Sequence, residues 1–166
     1  MAKIRGGDMM LFVNGKSIAY ATSHTLTISG DTQDTSNKDE GGGNWSANEV
    51  STLSWTAQSE NMYSLDGAGS NFDDLFDIMV AKTPVTATFS KKKETTVDAP
   101  TVGWTASKPD YEGKVVITSL ELNAPNGEYA TYTVQFTGIG ALQRVAAEPS
   151  NAGGGSASSG GGSSTK

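Results

Sequence analysis

The chain has 166 residues, a formal net charge of −6 and no cysteine. That length suits one domain burying roughly two-thirds of its unfolded surface. The missing cysteines exclude a disulfide framework, a thiol nucleophile and a thiolate metal site, and the acidic balance argues against a binder that grips nucleic-acid phosphates with clustered Lys and Arg.

The opening, MAKIRGGD, carries charge but no apolar run of signal-peptide length, and nothing approaches the ~20 apolar residues of a membrane span. Residues 1–8 therefore read as a flexible arm of a protein made in the cytoplasm, without a membrane partner. Met9 to Val13 is a short apolar strand, and Asn14-Gly15 turns it into Lys16–Thr22 as a hairpin. His24 to Ser29 alternates, with Leu26 and Ile28 on one side and Thr25 and Thr27 on the other. Gly30 to Asn44 is polar throughout and reads as a long loop, of the kind that is functional or mobile inside a compact domain. Trp45 ends it. A strand follows through Leu53, Trp55 and Ala57, with Thr52, Ser54 and Thr56 opposite.

Asp66-Gly67-Ala68-Gly69 is a turn, after which Ser70 and Asp73 suggest a capping pair for the one helix. Phe72, Leu75, Phe76, Met79 and Val80 form its apolar stripe, and Pro84 forbids continuation beyond Thr83. Val85, Ala87 and Phe89 alternate in the next strand. The basic run Lys91-Lys92-Lys93 reads as its solvated end, and Thr95 to Tyr111 is a long connection.

The most regular stretch comes last. Lys114 to Val145 reads as a long hairpin around Asn123-Ala124-Pro125-Asn126-Gly127, whose Pro and Asn-Gly supply the dihedrals of a tight turn. In its return strand Tyr132, Val134 and Phe136 face a core, while Thr131, Thr133, Gln135 and Thr137 form an almost uncharged stripe. Ser150 to Lys166 is Gly/Ser-rich and is expected to be disordered, leaving residues 9–149 as the domain. Six or seven strands and one helix make a mainly β fold, a β-sandwich or partly closed barrel with one packed α-helix.

Little of this chain suits catalysis. His24 is the only histidine and sits in a strand, and no nucleophile elbow, phosphate loop or zinc-protease motif occurs. No enzyme activity, cofactor or metal is expected. The acids of the long loop match no calcium-loop spacing. Trp45 and Trp104 lie at loop ends, where they could form a sugar-binding platform or an interface anchor.

Four blocks, taken in order, resemble one family: YATSHTLTISGDTQDTSNKD, GGGNW with LSWTAQSENMYS, FDDLFDIMVAKTPVTATF, and VITSLELNAPNGEYATYTVQFTGIGAL. They are similar to the TP901-1-type major tail proteins, the tail tube proteins of tailed bacteriophages, from about Met9 to Leu142. The resemblance implies a structural virion protein whose hexameric rings stack into the conduit for genome ejection. Implied partners are further copies of the chain, tail tip and terminator proteins, a tape measure protein in the lumen, and DNA passing without specific binding. In that setting Asp31, Asp34, Lys38, Asp39, Glu40 and Trp45 are the expected contacts between rings. Thr131, Thr133, Gln135 and Thr137 are the expected lumen surface. The alternatives are a carbohydrate-binding β-sandwich using Trp45 and Trp104, or the tube of a contractile tail or injection device.

Overall fold

The computed structural model describes residues 3–37, 46–66, 68–95, 103–108 and 110–145. Seven strands form one antiparallel sheet: β1 (Met9–Val13), β2 (Lys16–Ser17), β3 (Ala21–Asp34), β4 (Asn48–Met62), β5 (Val85–Lys91), β6 (Tyr111–Asn123) and β7 (Thr131–Arg144). Their order across the sheet is β2-β1-β5-β6-β7-β4-β3. Among the described residues there is one α-helix, α1, which spans Phe72–Ala81.

Connectivity forces this sheet to curl. Seven strands laid flat would separate β2 from β3 by about 29 Å. The chain leaves β2 at Ser17 and enters β3 at Ala21, a stretch that reaches at most ~14 Å. The start of β3 therefore lies beside β2 without pairing, and the molecule takes the partly closed barrel form of the expected fold. For the same reason the expected strand Lys16–Thr22 is shortened. Only Lys16 and Ser17 pair with β1; Ile18, Ala19 and Tyr20 cross the seam, tied by hydrogen bonds from Ala19 N–H to Ser70 O and from Met62 N–H to Tyr20 O.

Alternation places the core on the concave face. Leu11, Val13, Ala57, Val85, Ala87, Val115, Ile117, Tyr132, Val134 and Phe136 are buried there. Trp55 lies across β6 and β7, where a Cβ on Gly138 would come within 2.2 Å of its ring and one on Gly113 within 2.4 Å. Only glycine permits that approach. The Asn14-Gly15 turn has positive φ at both residues (50° and 80°), the type I′ geometry that matches strand twist.

Helix α1 begins one residue later than expected. Asn71, rather than Ser70, is the cap: its side chain accepts the Asp74 N–H while the Asp74 carboxylate accepts the Asn71 N–H. Ser70 is buried and bridges Ile18 across the seam. At the other end Lys82 closes the helix in the left-handed conformation. The stripe is also narrower than expected. Leu75 is fully buried, and Phe72, Ile78 and Met79 pack on the core, but Phe76 and Val80 remain 51% and 63% exposed. The helix meets β6 as a lid on the barrel's rim, so only one narrow line of its surface reaches the interior. Phe72 adds edge-to-face contacts to Tyr132 and Tyr63 at centroid distances of 5.5 and 5.8 Å.

Candidate functional site

The expected lumen residues share one face of β7, as alternation required. Thr131 and Gln135 are exposed and Thr133 and Thr137 half-buried. The structure adds their neighbours. Across β4 they meet Thr56, Gln58 and Glu60, and beyond those lie Thr27, Thr25 and Ser23 of β3. On the β6 side the Thr118 and Thr137 hydroxyls stand 3.1 Å apart, and Thr118 Oγ1 donates to Gln135 O. The polar faces of four strands thus fuse into one convex surface of hydroxyls and amides. Neither lysine nor arginine occurs in residues 23–29, 54–60 or 131–137.

The long-loop region differs from its sequence reading. Gly30 to Asp34 is strand rather than loop, paired with Asn48 to Leu53 past a bulge between Asp31 and Thr32. Polarity misleads here because this ladder buries neither face. β4 pairs with β7 only over Thr56–Met62; beyond Trp55 the β3–β4 hairpin leaves the sheet as a two-stranded arm. Asp31 and Asp34 therefore sit on a projecting ribbon. Asp34 accepts the Ser36 N–H at 2.8 Å, and its hydrogen bonds to the Ser36 side chain and backbone hold its carboxyl below the usual range. Thr35 N–H to Ala47 O continues the ladder. Lys38, Asp39, Glu40 and Trp45 lie outside the described residues.

The arm separates where β7 bulges. Gly140, at φ 73°, falls in extra residues between the Ile139–Lys114 and Gln143–Glu112 pairs, and its carbonyl accepts the Trp55 indole N–H at 3.0 Å. The parted hairpins leave a cleft of about 460 Å³ lined by Ile28, Leu53, Trp55, Tyr111, Leu142 and Arg144, among others. Nothing in the periodicity marks this feature, because Ile28 and Leu53 continue the core alternation yet are 58% and 72% exposed.

His24 faces inward beside Ser59. Among the described residues neither ring nitrogen has a partner, and burial pushes its pKa down to about 4. Tyr132 is comparable: its hydroxyl is unpartnered, and burial, helped by Asp74, pushes it up to about 12. Trp104 is half-buried with the Lys92 ammonium 4.4 Å from its ring centroid, which covers the face a sugar would need. Among the described residues no cluster of side chains suits a metal ion.

The family model for phage tail tube proteins matches residues 5–144. The chain belongs to that family. Its fold is shared by solved tail structures of low sequence identity. A chain of the native gene transfer agent virion superposes with a TM-score of 0.66 at 16% identity, over 87% of this tail tube protein and all of the other chain. A chain from the tail of an empty gene transfer agent particle, refined with C6 symmetry, gives 0.65 at 16% identity over the same shares. The SPP1 tail tube gives 0.58 at 10% identity, covering 86% of this chain and 79% of that one. No curated protein matches.

Proposed function

We propose that this tail tube protein closes into six-subunit rings that stack into a hollow conduit for a phage genome, assembled in the bacterial cytoplasm and retained in the virion. The observation that carries this reading is β3, a 14-residue edge strand without proline or lysine. Such an edge is an aggregation hazard in a monomer and a ready joint in a polymer, because its N–H and C=O groups can extend the sheet into the next subunit. The C6 symmetry of the gene transfer agent tail supports six as the number.

Within the tube, the hydroxyl surface around Thr131, Thr133, Gln135 and Thr137 lines the lumen. A wall without cations offers DNA no counterion release, so the genome and the tape measure protein pass without being held. The arm bearing Asp31 and Asp34, with Lys38, Asp39, Glu40 and Trp45, reaches the neighbouring ring. Tail tip and terminator proteins close the two ends. Negative-stain electron microscopy of the purified chain over a concentration series tests this. Hollow tubes or six-fold rings are the expected result; small monodisperse particles at every concentration, even with a tail-tip complex as initiator, would overturn it.

A further inference from the structure

The two ends of the subunit carry complementary features. At one end the β6–β7 turn presents Tyr129, 80% exposed, next to an exposed Glu128. At the other lies the apolar cleft between the parted hairpins, with Arg144 on its lining. The register separates them: Arg144 pairs with Tyr111, whereas the turn starts beyond the Asn123–Thr131 pair. Twelve residue steps of β6, from Tyr111 to Asn123, separate them, roughly 40 Å of strand. One copy cannot bring its own turn to its own cleft.

We infer that the Glu128-Tyr129 turn of one subunit docks into the cleft of a second copy, as the axial contact between successive rings. The inference rests on the tube reading above. Different patches of one chain meeting head to tail give a heterologous contact that propagates indefinitely, as a tube requires. The Tyr129 ring enters between Ile28 and Leu53, above Trp55, and supplies the aromatic anchor that such interfaces favour. A cleft of about 460 Å³ holds one phenol side chain with space for its backbone to approach.

Charge supports the same occupant. The turn end exposes Glu60, Asp66, Glu121 and Glu128, and residues 54–66 and 117–133 contain no lysine or arginine. At the cleft end Lys93, Lys108 and Arg144 are exposed, and among the described residues they stand outside the ion pairs Lys91–Glu94 and Lys92–Asp8. Asp110 and Glu112 share that end, and Glu112 is already engaged by the Thr88 hydroxyl. With Tyr129 seated, the adjacent Glu128 carboxylate meets the Arg144 guanidinium. The arm projecting past the cleft then runs alongside the docked copy.

Because the full chain lacks cysteine, the contact can be trapped. Tyr129→Cys and Ala141→Cys are combined in one chain, assembled, and oxidised with glutathione disulfide. A ladder of covalent oligomers on a non-reducing gel is expected from the double variant, and no ladder from either single one. In parallel, Glu128→Arg and Arg144→Glu should each raise the concentration needed for assembly about tenfold or more, and their combination should restore it. Tubes that form without a ladder, or that tolerate both single reversals, overturn this contact and leave the tube reading intact. Absence of tubes and ladders from every chain, the unsubstituted one included, overturns both.

Discussion

His24 illustrates how one buried residue ties stability to pH. Its imidazole titrates near 6.5 when unfolded and about 4 when folded. Between those values the unfolded chain binds the extra proton, so stability present above pH 6.5 is lost as pH falls through 4. The loss amounts to roughly 3 kcal/mol at most. Urea titrations of the unassembled chain at pH 7 and pH 4.5 should show it, and His24→Leu should flatten that dependence while gaining about 1 kcal/mol at pH 7, since no buried nitrogen then lacks a partner. An unchanged pH slope in the variant would assign the dependence to carboxylates instead. Tyr132 does not contribute below pH 10, its hydroxyl being neutral in both states.

At the scale of elements, the arm and the helix show what burial adds to pattern. A two-stranded ribbon is marginal by itself in water, and Ile28, Val50 and Leu53 leave its concave side apolar and open. The arm therefore gains its final stability from whatever it meets. Replacing residues 35–47 with a two-residue Asn-Gly turn keeps the strand pairing up to Asp34 and Asn48 and removes what lies beyond it. The shortened chain should fold with an unchanged far-ultraviolet spectrum yet form single rings instead of tubes, judged by electron microscopy. Full-length tubes from it would remove the arm tip from ring stacking. Helix α1 raises a related point, because Phe76 and Val80 face outward beside Asp73 and Asp77. Its ends were legible to within one or two residues from Ser70, Asp73 and Pro84; the width of its buried stripe depended on its place on the rim.

For the whole molecule, the sharpest question is which face turns inward. The surface around Gln135 is continuous over four strands and free of lysine and arginine across residues 23–29, 54–60 and 131–137. In assembled tubes, Gln135→Cys should react with a small maleimide and resist one carrying a polymer too bulky for the lumen. Free subunits should react with both. Equal modification of tubes by both reagents would place this face outside. The reagents report access alone, so the outcome does not depend on DNA being present.

Much of the architecture was decided by local chemistry. Alternation set the inner and outer residues of β7 from Thr131 to Thr137, Asn14-Gly15 and Asn126-Gly127 set two turns, and Ser70 and Asp73 with Pro84 placed the helix to within one or two residues. These signals act over a few residues and need no partner, so the sequence alone carried them, and the family resemblance with them. Other features waited for the tertiary structure. The link of three residues between Ser17 and Ala21 forced the sheet to curl, and the Trp55 ring lies on Gly113 and Gly138 where the hairpins part. The cleft and the exposure of Leu53 follow from that parting. They depend on residues up to 85 positions apart, such as Trp55 and Gly140, and no periodicity along one strand records which distant strand turns away from it.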